Sequence, residues 1–527
     1  MKRRLLNTLI LGTFSLPAIV IQSASAHEED FSLIPSQVVA PSQATTSQYV
    51  SRNDRDRYPR PDRGDSKNGV SPALCGEGDI REPGIQGEVP AGQTPNYNCG
   101  VKVVGKAPLV GSVAAIAQCA YVRPFVGQND GTVYVVDVSN PANPVVVGSP
   151  LPVRNGSESL RVVAAADRSV MVSGSTVFDV SDCLHPKLLG DIKWPDTPLP
   201  GVPRKTFPHD IRINREGTKV YASFGVWEAD ISNLYDSTTW KVTDHRCDVA
   251  AQLPGPWKEV HKQSIKAGRS LCDDATRPAP FGANYVLGSS PLMASLLWPQ
   301  VSHAPDFNAD DTRLYVGDQA GGTSALWAPE PKVRIIDLTK KPIKVIGEVD
   351  GPGHGLDWFR SNGREFVMHS NEGGTNGIAG QPQKGDTCQP YPRPTGLGWG
   401  FEAIVSDVSY PEYARNVSML KLAINDPEFC EIRKASGRDP WLAYHLIDNP
   451  LDAKFAVVNF GDAGLRIFDI RNPWKPTEVA YINQGVPVHA QVGYYDAARG
   501  LIYFSDTGGF KVLEIEPQVR KRLGLNL

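Results

Sequence analysis

The chain lacks the marks of most familiar enzyme classes. It contains no G-x-S-x-G elbow, phosphate-binding loop, G-x-G-x-x-G fingerprint or H-E-x-x-H zinc helix, so serine hydrolysis and nucleotide binding have no support. None of the eight cysteines stands in a C-x-x-C pair, which sets aside zinc-ribbon and thioredoxin chemistry. With 54 basic and 57 acidic residues the formal charge is only -3. There is no basic stripe and no acidic tail, and nucleic acid is not an expected partner. Beyond the N-terminus no stretch reaches roughly 18 uninterrupted apolar residues, so no transmembrane segment is expected there.

What is present points to an exported, all-β protein. The 527 residues include 49 Gly and 44 Pro, a composition of many tight turns. Lys2, Arg3 and Arg4 precede a mostly apolar run from Leu5 to Ile21, and Ala24-Ser25-Ala26 forms an A-x-A cleavage site. Residues 1–26 therefore read as a signal peptide, and a periplasmic or secreted location is expected. In an oxidising compartment an even cysteine count favours disulfides. The simplest pairing is sequential, Cys75–Cys99, Cys119–Cys183, Cys247–Cys272 and Cys388–Cys430, although connectivity does not follow from sequence. Residues 27–98 are expected to form a flexible polar extension, without periodicity up to about residue 74.

From about residue 99 one unit recurs: a strand ending in Asp, a turn containing Pro, and a further apolar strand. It reads VYVVDVSNPANPVVVGS from Val133, TVFDVSDCLHPKLLGDI from Thr176, VRIIDLTKKPIKVIGEV from Val333 and LRIFDIRNPWKPTEVAYI from Leu465. A weaker copy starts at Ala403 and a shortened one at Phe510. β-Branched residues crowd the strands, and Asn-Pro or Lys-Pro sets the turn. Four strands repeating about every 40 residues mark a β-propeller. Seven blades are expected within 99–520, at about 105–153, 155–197, 205–300, 303–351, 354–426, 445–485 and 489–516, with insertions near 228–300 and 375–400. The last blade is one strand short after Ile515, and Val101-Lys-Val-Val-Gly can supply that strand and close the ring. The unit resembles the LVIVD repeat of secreted bacterial proteins, which implies the propeller and says little about activity.

Five histidines, His209, His303, His354, His445 and His489, open five successive stretches of similar build. The distances to the aromatic of the following strand are 12, 12, 12, 10 and 14 residues. Side chains alternate faces along a strand, so changes of two need not turn the imidazole away. In a propeller these residues ring one mouth of the channel, with an open side at blades one and two, which lack the His. Imidazole is the commonest metal ligand, and an imidazole cluster argues against calcium. Asp210, Asp306 and Asp357, one or three residues past their His, are expected either to orient the rings or to be ordinary channel polarity. His369 is a further candidate donor or a structural or solvent-facing residue. Arg161 is a candidate for orienting an anionic group, or for a structural salt bridge.

A histidine-ringed propeller channel is similar in arrangement to the selenium-binding protein and methanethiol oxidase family, where channel histidines are associated with copper chemistry. Carotenoid oxygenases and oligogalacturonate lyases hold iron and manganese in comparable places. The resemblance implies an exported metal-dependent oxidoreductase acting on a small substrate, with copper first among the cofactors, then iron, manganese or zinc. Two alternatives stay open. One is a non-catalytic extracellular scaffold that binds a protein or glycan through aromatics such as Trp227, Trp240, Trp257, Trp298 and Trp399. The other is a metal-dependent polysaccharide lyase or hydrolase.

Overall fold

The computed structural model describes residues 69–124, 131–154, 160–194, 210–222, 226–245, 248–249, 252, 305–317, 332–351, 353–370, 403–425, 429–436, 445–484, 492–506 and 508–525. The expected signal peptide, the extension up to residue 68 and the insertion at 375–400 lie outside them.

The repeats fold into seven antiparallel sheets, each built on four consecutive positions of the repeat. Their inner strands are Ser112–Ile116, Leu160–Ala164, Ile211–Ile213, Asp306–Phe307, Leu356–Ser361, His445–Ile447 and Val492–Asp496. These strands pack against their neighbours around an axis. The ring closes as the sequence suggests: strand Val101–Ala107 pairs antiparallel with the last strand, Gly509–Ile515, and completes blade seven. That pairing covers an edge that would otherwise expose unpaired amides.

Among the described residues there is no single central core. The buried apolar residues fall into seven wedges, one between each pair of adjacent blades. Tyr315 and Val333 of blade four meet Trp358 and Val367 of blade five; Phe455 and Val457 of blade six meet Tyr495 and Ile502 of blade seven; Val113 and Ala115 of blade one meet Tyr503 and Val512 of blade seven, across the closure. Each blade is thus apolar on both faces, which is why its strands read as near-continuous Val and Ile runs rather than alternating ones.

The recurrent Asp has a mechanical role. It ends the third strand and accepts the N–H two residues on, as in an Asx turn. Asp137 accepts from Ser139 at 2.8 Å, Asp179 from Ser181 at 2.9 Å, Asp337 from Thr339 at 2.8 Å and Asp469 from Arg471 at 3.1 Å. Asp407 accepts from Ser409 at 3.1 Å in the weaker copy. Blade three holds a copy that the sequence reading missed: strand Trp227–Asp230 ends in Asp230, which accepts from Ser232 at 2.9 Å. The insertion expected from 228 is corrected accordingly, because strands Trp227–Asp230 and Lys241–Asp244 belong to the blade.

The extension also differs from the flexible segment expected through residue 98. Strand Asn96–Cys99 adds a fifth strand to blade six, pairing with Thr477–Gln484. Glu82 enters the protein and, with Glu478, flanks the Arg466 guanidinium at 2.8 and 3.1 Å. Burial pushes the Glu82 carboxyl above its usual range despite Arg466, and the Glu478 charge adds to the shift. Disulfide Cys75–Cys99 ties the extension to its own strand, and Cys119–Cys183 links blades one and two. Both were the sequential choices. For the other two expected pairs, Cys247–Cys272 and Cys388–Cys430, residues Cys247, Cys272 and Cys388 and the Cys430 side chain lie outside the described residues.

Candidate functional site

The inner strands carry a tier of charge that the repeat register defines. Arg161 pairs through Val172 with Val177, and Arg212 pairs through Tyr221 with Glu228. Asp306 pairs through Tyr315 with Ile335, and Asp357 pairs through Met368 with Val405. Each chain ends two residues before the third-strand Asp. Arg161, Arg212, Asp306 and Asp357 therefore occupy one repeat position in blades two to five. The equivalent in blade six is Leu446, which pairs through Val457 with Ile467.

The tier is stitched by ion pairs. Arg161 donates to Asp210 at 2.8 Å. Arg212 reaches Asp306 at 3.0 Å and, beyond it, Asp357 at 2.9 Å. Asp306 also accepts the Trp358 backbone N–H at 2.6 Å. The second oxygen of Asp357 lies 2.5 Å from Nδ1 of His445 in blade six. Among the described residues two guanidinium groups thus face three carboxylates. Burial raises the Asp306 carboxyl above the usual carboxylate range and outweighs Arg212. At Asp357 burial acts in the same sense, but the hydrogen bond from His445, with Arg212, overcomes it and holds that carboxyl low.

His354 and His445 are both buried, at 1% and 6% exposure. The His354 N–H donates to the Ser370 carbonyl at 2.8 Å, and the Ser370 N–H donates to Gly355 O at 3.2 Å, which prolongs the inner hairpin of blade five. A Cβ on Gly355, the residue after His354, would lie 3.1 Å from His445 Nε2. The two histidines thus share one neighbourhood. They do not share one repeat position: His354 precedes the tier residue Asp357 by three, whereas His445 precedes Leu446 by one. The shift of two keeps the strand parity, as the spacings suggested. His209, His303 and His489 lie outside the described residues.

Several expectations change. Asp357 orients a histidine, but it is His445 of the next blade and not His354 of its own. Asp210 and Asp306 accept from Arg161 and Arg212, and His209 and His303, whose rings they were expected to orient, lie outside the described residues. Arg161 forms the structural salt bridge. His369 is neither solvent-facing nor in the channel; it is fully buried within strand Arg364–Ser370, and its Nε2 bonds Ser406 Oγ at 2.8 Å. Arg212, the hub of the cluster, was not singled out from the sequence. Trp227 is fully buried and Trp240 packs half-buried against the wedge of blades two and three, so neither forms an exposed contact surface. Trp257, Trp298 and Trp399 lie outside the described residues. Among these residues the ligand atoms of Cys75, Asp79 and Cys99 also converge, but the two sulfurs are joined and offer no thiolate.

Fold and site together define a seven-bladed β-propeller that carries LVIVD repeats. The family model described as the LVIVD repeat matches residues 121–151 and 451–483, in blades one and six. No curated protein matches the chain. Among solved structures, it is similar to the β-propeller domain of Myceliophteria thermophila Cps50 (Swd1), with 11% identity and a TM-score of 0.43 over 78% of this chain and 98% of that one. The Neurospora crassa Pan2 WD40 domain is 8% identical with a TM-score of 0.41, covering 81% and 98%. The Pseudomonas aeruginosa periplasmic gluconolactonase PpgL is 11% identical with a TM-score of 0.37, covering 71% and 85%. Nothing about activity carries over at these likenesses. Among the described residues no helix is long and apolar enough to cross a membrane.

Proposed function

We propose that this chain is an exported metal-binding propeller, a metal-dependent oxidoreductase that acts on a small substrate at the histidine-bearing channel mouth. The observation that carries the reading is the Asp357–His445 pair. A carboxylate on Nδ1 sets the ring's orientation and leaves Nε2 as the lone-pair nitrogen, which is the usual arrangement behind a metal-bound histidine. That Nε2 is buried and has no hydrogen-bond partner among the described residues.

His445 through Nε2 and His354 would hold the ion, together with His209, His303 and His489 from outside the described residues. Copper is the first choice, then iron, manganese or zinc, because these suit imidazole. When bound, such an ion would supply a redox centre or a Lewis acid. The protein's own groups have separate tasks. Asp357 fixes the His445 tautomer, Arg212 holds Asp357 in place, and Asp306 holds Arg212 from the other side. The near-neutral charge of the chain gives little support to the lyase reading, which needs a basic groove for an acidic sugar. The paired cysteines and the leader support an oxidising compartment.

The test is calorimetric titration of chelator-treated mature protein with copper(II). The wild type should bind tightly, and His445→Ala should lose that binding while its far-ultraviolet spectrum is unchanged. Equal binding by the folded variant would refute the assignment.

A further inference from the structure

We infer that Ser370 and His445 together hold one oxygen atom, of water or of a hydroxyl group, beside Gly355 in the metal-free protein. The inference goes beyond the metal reading and concerns the metal-free protein, because an ion on His445 Nε2 would occupy the lone pair that the oxygen needs. Two buried polar atoms carry it. Ser370 is 0% exposed and the His445 side chain likewise, and neither Ser370 Oγ nor His445 Nε2 has a hydrogen-bond partner among the described residues. Leaving either group unsatisfied in the interior is costly, and buried polar atoms that face a shared space are commonly bridged by a bound atom.

Gly355 lets both atoms approach the backbone closely. A Cβ there would lie 3.0 Å from Ser370 Oγ and 3.1 Å from His445 Nε2. Any side chain at this position would push between the two atoms. The backbone does not demand glycine, for Gly355 is absent from the residues with positive φ. The glycine is therefore explained by room and not by conformation. Donor and acceptor roles match the proposed occupant. With Asp357 on Nδ1, Nε2 accepts a hydrogen bond, while the Ser370 hydroxyl can donate or accept. Water or an alcohol satisfies both at once, whereas a carbonyl oxygen has no proton for Nε2. Ser370 is in this sense a positioning residue, and Gly355 sets how large a group can approach the imidazole.

The experiment is crystallography of the mature protein treated with chelator, alongside Gly355→Ala and Ser370→Ala. In the metal-free wild type one ordered atom is expected within hydrogen-bond distance of both Ser370 Oγ and His445 Nε2. Gly355→Ala should lose that atom, and Ser370→Ala should leave it bonded to His445 alone or lose it. A wild type without that atom, or a Ser370 side chain bonded directly to His445, overturns the inference. Should Gly355→Ala fail to fold, the wild type and Ser370→Ala still decide. Failure of copper to bind bears only on the metal reading, since the bridging atom is sought in its absence.

Discussion

Asp357 of blade five lies 2.5 Å from Nδ1 of His445 in blade six, so a carboxylate from one repeat sets the ring of the next. Arg212 holds the other oxygen of that carboxylate at 2.9 Å. Replacing Asp357 with Asn should therefore lower metal affinity by about 10- to 100-fold, the usual effect of removing a carboxylate behind a ligand histidine. Competition with a chelator of known affinity checks this, and unchanged affinity would count against an orienting role.

Arg466 is fully buried between Glu82 and Glu478 and also stacks over the Tyr481 ring at 4.7 Å. Arg466→Met should strand two carboxylates in the interior and destabilise the protein by about 3–5 kcal/mol. Adding Glu82→Gln should recover part of that loss. Denaturant unfolding measures both, and a near-neutral Arg466→Met would show that the extension is not anchored by this pair.

Asp448 gives a pH signature. Its Oδ1 accepts the N–H groups of Lys454 at 2.9 Å and Phe455 at 3.1 Å, and burial raises its carboxyl from 3.8 to about 6. The unfolded chain releases this proton near pH 4 and the folded chain holds it to about pH 6. The stability contributed at low pH is therefore lost as pH rises through that window. Blade three fills the same role with Asn214, whose Oδ1 accepts from Thr218 and Lys219 at 2.8 Å. Asp448→Asn keeps both hydrogen bonds without the charge. It should stabilise the protein at pH 7 by about 1–2 kcal/mol and flatten the slope between pH 4 and 6. Part of that slope should remain, because burial also raises Asp311 to about 6. A destabilised Asp448→Asn at pH 7 would contradict the account.

Ring closure can be tested by removing the chain through Ala107. This deletes the outer strand of blade seven and the fifth strand of blade six, and it bares the edge of strand Gly509–Ile515. The truncated protein should lose cooperative unfolding and self-associate. Light scattering and thermal denaturation report both, and a monomer that melts normally would show that the closure is dispensable.

Much of the fold was legible because the repeat is marked by a residue with a local job. Asp137, Asp179, Asp337 and Asp469 cap the third strand within two residues, so the signal survives in a short window. Blade three was harder to read because WEADISN has Glu and Ala in place of β-branched residues and no Pro in its turn. The fifth strand of blade six, NYNC, has no apolar alternation, and its partner lies nearly four hundred residues later at Tyr481–Gln484. Glu82 carries no local sign of burial for the same reason, since Arg466 is its partner 384 residues away. At the site, the residue types were legible and the pairings were not. That Asp357 serves His445, 88 residues on, depends on the angle between blades, which no local pattern encodes.

The central claim is that the imidazole mouth binds a transition metal. It is tested most directly by elemental analysis, using plasma mass spectrometry, of mature protein purified from its native compartment without chelators or a histidine tag. The account predicts near-stoichiometric copper, or failing that iron, manganese or zinc. Protein that carries no such metal, and takes up none on reconstitution, would contradict it.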